Sequence, residues 1–144
     1  FIQQDIETPI ARALLTQAGL PRVAIEPQHV TSSGTGAGLF LTVHYAQSRA
    51  GFSVLGRRGL PSEEVAELAC RELLDHHRTG AAVDPHLGDQ LVLPFVLAQG
   101  VSRATVSRVT QHLLTNVWVA AHFDLPPARV TGEEGQPGTL IVGE

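Results

Sequence analysis

Two polar clusters stand ahead of apolar runs, and they hold the side chains best placed to do chemistry. The first is His86-Leu87-Gly88-Asp89-Gln90, ahead of Leu91, Val92, Leu93, Phe95, Val96 and Leu97. The second is Thr110-Gln111-His112-Leu113-Leu114-Thr115-Asn116, ahead of Val117, Trp118 and Val119. Asp89 and Gln90 set a carboxylate beside an amide, which together can offer acceptors and donors to a ribose, a base edge or an imidazole. If Thr110 is a helix N-cap, its hydroxyl accepts from an unpaired backbone N–H, and His112 falls in the first helical turn. A helix N-terminus carries about half a positive charge, which attracts phosphate and disfavours protonation of an adjacent imidazole. A neutral imidazole is a nucleophile and an imidazolium is not. Each cluster taken singly also has a plainer use. Asp89 and Gln90 suit helix capping and first-turn charge compensation, and a lone His112 suits a hydrogen-bonded structural role.

These residues need a helix, a strand and a second helix between Asp84 and Phe123 to position them. Asp84 is a good cap and Pro85 suits a first helical turn. Pro94 falls within the apolar run, where proline lacks the needed N–H, so the helix is expected to kink there or end early. After Gly100, Val101 to Ser107 alternates as a strand that brings Arg103 and Arg108 towards the second cluster. Both arginines fit either a solvated strand face and turn or a phosphate contact. Leu125-Pro126-Pro127 ends the second helix. Ala128 to Thr131 and Thr139 to Val142 read as short strands across the loop from Gly132 to Gly138, closing the sheet.

Upstream, Ile6, Ile10, Leu14 and Ala18 recur at helical spacing, which makes Phe1 to Gly19 a helix, secure from Pro9 to Gln17. Arg22 to Val30 is an expected strand. The stretch from Ser32 to Gly38 holds three glycines, but it leads into the alternating run Leu39 to Tyr45, so a loop entering a strand is expected rather than a phosphate cradle. Ser48 to Gly51 reads as a turn, and Phe52 to Leu55 as the returning strand. A helix capped near Ser62 carries Glu63 and Glu64 in its first turn and a stripe of Val65, Leu68, Ala69 and Leu73, and it stops at Gly80. Cys70 at the edge of that stripe reads as a buried structural thiol. His76 and His77 suit a last helical turn, and their spacing to His86 matches no zinc pattern, so no metal site is expected. His29, His44 and His122 have no partner that the sequence names.

Composition bounds the function. The chain has 144 residues and 43% hydrophobic content, enough for one moderate domain or two small ones with a real core. One cysteine excludes an internal disulfide, and no apolar run approaches a bilayer span, so a soluble cytoplasmic protein is expected. All 10 basic Lys and Arg positions are arginine. Lysine adenylation and a P-loop lysine are therefore excluded within this chain, leaving histidine as the nitrogen nucleophile. A net charge of −4 argues against indiscriminate nucleic-acid binding, so any bound nucleic acid would need a local arginine patch.

The run HLGDQLVLPFVLAQG, followed by a short strand and HLLTN, resembles the carboxy-terminal signature of the RNA 3′-terminal phosphate cyclase family. The order and spacing of the two motifs are far more specific than either half. The resemblance implies ATP-dependent conversion of an RNA 3′-phosphate to a 2′,3′-cyclic phosphate. His112 would be the catalytic nucleophile that carries AMP. His86, Leu87, Gly88, Asp89 and Gln90 would line the nucleotide pocket, with Phe52 packing on adenine, and a divalent cation, magnesium or manganese, would accompany ATP. Gly88 departs from the alanine that relatives commonly place there.

The resemblance further implies an α+β fold. Residues 1–80 would be most of an inserted thioredoxin-like α/β domain. Residues 81–144 would be the last part of a catalytic domain built from repeated two-helix, four-strand units. With no methionine and a start at Phe1, the chain is expected to belong to a longer product, whose amino-terminal part would be its partner beside ATP and the RNA end. Two other readings stand beside the enzyme. One is a noncatalytic cyclase-like protein that processes or binds RNA, against which His112 argues. The other is a fragment inactive without its amino-terminal half.

Overall fold

The computed structural model describes residues 4–20, 22–24, 26, 28, 31 and 36–144. Chain packing divides them into two compact units, Phe1–Val43 with Gly51–Asp75, and His44–Ala50 with His76–Glu144. Both mix helix and strand, so the fold is α+β.

The first unit is built on helix α1, Gln4–Gln17, most of helix α2, Ser62–Thr79, and most of a hairpin of strands β1, Gly38–His44, and β2, Arg49–Leu55. Helix α1 runs through Pro9 and ends where Gly19 turns to a φ of 86°, a left-handed conformation open to glycine. Its buried positions are Ala11 and Leu15, not the expected stripe, while Ile10 and Leu14 are half-buried and Ala18 is exposed. The inward face is thus one residue round from the sequence expectation. Small Ala11 sits on that face because its backbone meets α2: the Cys70 thiol lies 3.9 Å from Ala11 O. Cys70 is fully buried, as its place on the apolar stripe implied. In α2, acidic Glu63 and Glu64 occupy the first turn and His76, His77 and Arg78 the last, matching the helix dipole at both ends.

The expected turn at Ser48–Gly51 is displaced. Tyr45 N–H donates to Ser48 O at 2.8 Å, so the chain reverses earlier and β2 has begun by Arg49. Of the expected strand from Arg22 to Val30, residues 22–24, 26 and 28 are described and are not in a strand. Ile25, His29, Val30 and the stretch Ser32–Thr35 lie outside the described residues.

The second unit holds helix α3, Pro85–Leu97, strand β3, Ser102–Val106, helix α4, Gln111–Ala120, and strands β4, Ala128–Thr131, and β5, Gly138–Val142. The last strand in sequence is central, in the order β3-β5-β4, with both pairings antiparallel. Val83 adds one parallel bridge on the far side of β3, with Val83 N–H donating to Thr105 O and Ser107 N–H to Val83 O, both at 3.1 Å. The core joins Val92 and Val96 of α3 and Leu113 of α4 to Ala104, Val106, Leu140 and Val142 of the sheet. Helix α3 does not end early at Pro94, which is exposed inside it. The turn is carried past it by Val92 and Val96 on the buried face, which keep packing on the sheet.

Candidate functional site

Asp84 starts the site. Its backbone is extended and its Oδ1 accepts from the N–H groups of His86 and Leu87, both at 2.9 Å, which makes it the N-cap of α3. Pro85 follows in the first turn, where its missing N–H costs nothing. The cap fixes how the first cluster is distributed. His86 and Gln90 are exposed, Leu87 is half-buried against the core, and Gly88 is buried. Gly88 marks a close approach of helix to sheet, because a Cβ there would stand 2.9 Å from Val106 Cγ1.

Thr110 does the same for α4. Its hydroxyl oxygen accepts from Leu113 N–H at 3.0 Å and its O–H donates to Asp89 Oδ1 at 2.5 Å. Asn116, one helical turn further along, donates its amide to Asp89 O at 3.1 Å. Asp89 therefore binds the first cluster to the second through both its side chain and its backbone. His112 follows the cap as the second residue of α4, with its side chain exposed to solvent. Sequence reasoning named Asp89 and His112 but gave Asn116 no role. The available signal was its spacing of four residues from His112, which puts both on one helix face.

Phe52 belongs to β2 in the first unit and is buried, 6% exposed. Arg108 is exposed in the turn before Thr110, whereas Arg103 points from β3 and pairs with Glu144. Among the described residues no group of three or more His, Cys, Asp or Glu side chains is arranged to hold a metal ion. Nor is any helix there long and apolar enough to cross a membrane.

A separate cluster backs the α3 cap. The Tyr45 ring stacks on His77 with 5.8 Å between centroids, its hydroxyl lies 3.2 Å from His77 Nδ1, and it lies 5.9 Å from the buried His76 ring. Burial pushes the His76 pKa below the usual imidazole value; the Asp84 charge opposes that shift and His77 adds to it. Burial also raises the Tyr45 phenol.

The second unit is thus a two-helix, open-sheet module that presents an exposed histidine in the first turn of a carboxylate-braced helix. The family model of the RNA 3′-terminal phosphate cyclases matches residues 4–125, and the chain belongs to that family. It is 51% identical over 132 residues to the RNA 3′-terminal phosphate cyclase of Methylococcus capsulatus, covering 92% of this chain and 36% of that protein. The like-named protein of Nostoc punctiforme is 46% identical over 83% of this chain and 34% of its own length. That of Thermococcus kodakarensis is 41% identical, over 92% of this chain and 38% of its own. The chain spans about a third of the length of these relatives.

Proposed function

We propose that this chain supplies the nucleophile and part of the nucleotide pocket of an ATP-dependent RNA 3′-phosphate cyclase. The observation that carries this reading is the exposed His112 in the first turn of α4, with its N-cap tied to Asp89 of the first cluster. One imidazole nitrogen of His112 attacks the α-phosphorus of ATP, forming an N–P bond as the bond to the pyrophosphate oxygen breaks. An oxygen of the RNA 3′-phosphate then takes AMP from the imidazole. The neighbouring 2′-oxygen attacks the 3′-phosphorus, loses its proton and expels AMP, leaving the 2′,3′-cyclic phosphate. The N–H groups at the start of α4 suit a phosphate, and His86 and Gln90 are exposed for contact with nucleotide. A divalent cation, magnesium or manganese, would accompany ATP and neutralise part of its phosphate charge. We place the chemistry in the cytoplasm, where ATP and RNA ends meet.

The partner we assign is the remaining part of a longer polypeptide. Two facts support it: the chain spans about a third of its relatives, and Leu93, Leu97, Trp118 and Phe123 on and after the two helices are each more than 60% exposed.

The test is incubation with magnesium and α-labelled ATP, of this chain and of the longest protein containing it, with His112→Ala alongside. Acid-labile, alkali-stable label that disappears in the variant is expected. Label only on the longer protein would locate the rest of the site upstream. No label on either, with both folded, would leave a binding or processing role without adenylylation.

A further inference from the structure

The face of the second sheet that turns away from α3 and α4 has an ordered polar pattern. Ala104, Val106, Leu140 and Val142 point into the helix-packed core, so their neighbours along each strand point the other way. The antiparallel registers align those neighbours in two rows across the three strands. Arg103, Ile141 and Arg129 form one row, and Thr105, Thr139 and Thr131 form the next. The rows stand about 7 Å apart, two residues along a strand, an interval of the order of that between successive phosphates in a nucleic-acid strand.

The arginine row already holds an anion. Glu144 Oε1 accepts from Arg103 Nη2 at 2.5 Å and its Oε2 accepts from Arg129 Nη2, so one carboxylate bridges two guanidinium groups across the central strand. The two arginine side chains are 56% and 54% exposed. Exposed ion pairs contribute little to stability, so this carboxylate can leave readily. Beside it the threonine row lines a cavity of about 380 Å³, whose wall also includes Thr79 and Gly80 at the end of α2 and Gly132. Thr105 Oγ1 there accepts from Ala82 N–H at 2.9 Å, which fixes one hydroxyl in the wall.

We propose that this sheet face is a binding surface for the phosphodiester backbone of a single RNA strand. Arg103 and Arg129 grip one phosphate where Glu144 now sits, and the threonine row receives the next. The Glu144 carboxylate is an internal stand-in for phosphate and competes with it. Guanidinium groups suit this exchange because their planar donors fit carboxylate and phosphate oxygens alike. The surface rests on the reading of RNA as substrate, but it lies apart from His112, on the opposite face of the sheet from α4.

The experiment is fluorescence anisotropy with a labelled single-stranded oligoribonucleotide ending in a 3′-hydroxyl, which cannot enter the proposed reaction, on this chain and on the longest protein containing it. Glu144→Gln is expected to tighten binding several-fold. Arg103→Ala with Arg129→Ala should weaken it about 10-fold and reduce the dependence of log affinity on log salt by about one. The paired lysine substitutions should retain part of the binding. Unchanged affinity in the double alanine variant, with its thermal unfolding preserved, would overturn the surface, as would weaker binding in Glu144→Gln. Histidine labelling from ATP separates the two ideas. Arginine-dependent binding without label would remove the cyclase reading and keep the surface, whereas label with arginine-independent binding would do the reverse.

Discussion

At the scale of single residues, Thr110 connects the two motifs. Its hydroxyl caps α4 through Leu113 N–H and donates to Asp89, so one oxygen serves the helix and the junction together. Thr110→Val keeps the shape and removes both bonds. It is expected to cost about 1 kcal/mol in urea unfolding and to slow labelling of His112 on the order of 10-fold by loosening the turn that carries it; Thr110→Ser should restore both. Gly88 gives a second test. Alanine within a helix is ordinarily better than glycine by about 1 kcal/mol. Here its methyl would meet buried Val106 at 2.9 Å, and overpacking costs about 1–3 kcal/mol. Gly88→Ala should therefore destabilise the chain, by about 1 kcal/mol in the same assay. An alanine at this position in a relative needs a smaller or shifted neighbour opposite it. His76 sets a pH dependence. Its folded pKa is lowered, chiefly by burial, so the unfolded state binds the extra proton. Stability should be fully present above the unfolded value of about 6.5 and fall as pH drops below it. His76→Leu should flatten that slope in thermal melts taken between neutral and mildly acidic pH.

At the scale of elements, Pro94 tests what holds α3. The helix continues to Leu97 although proline removes a backbone hydrogen bond. If burial of Val92 and Val96 outweighs that loss, Pro94→Ala on the exposed face should raise stability, on the order of 1–3 kcal/mol by denaturant unfolding. The same contrast separates what the sequence made legible from what it did not. The caps at Asp84 and Thr110 were legible because a cap is a local device of one side chain and the next few N–H groups. The strands from Ser102, Ala128 and Gly138 were legible from alternation and turn residues. Passage through Pro94 was not, because it depends on packing against a sheet formed later in the chain. Nor was the central place of β5, since strand order is set by long-range pairing that no local pattern encodes. The rotated face of α1 belongs with these, because Ala11 is inward through its contact with Cys70, 59 residues on. Within the site, the cluster residues and the first-turn position of His112 were readable. The bonds from Thr110 and Asn116 to Asp89 span 21 and 27 residues and needed coordinates.

At the scale of the molecule, the second unit has two very different outer surfaces. Its outer sheet face carries two arginines and three threonines around buried Ile141, whereas Leu93, Leu97, Trp118 and Phe123 leave large apolar side chains in water on the helix side. Water tolerates the first surface and penalises the second, so the helix side is where the remainder of a longer polypeptide would bury area. These four side chains lie outside the buried core, so their replacement should leave the unit folded. Leu97→Ser with Trp118→Ser should therefore unfold at nearly the same denaturant concentration as the unaltered chain and be more soluble. When the longest protein containing this chain is expressed as two pieces, the unaltered piece should copurify with its complement, and the serine variant should be retained at least about 10-fold less, the loss of somewhat over 1.4 kcal/mol expected from two apolar contacts. Label transfer to His112 should fall in parallel if the complement completes the nucleotide site. Equal retention of both pieces would show that the joint lies on another surface.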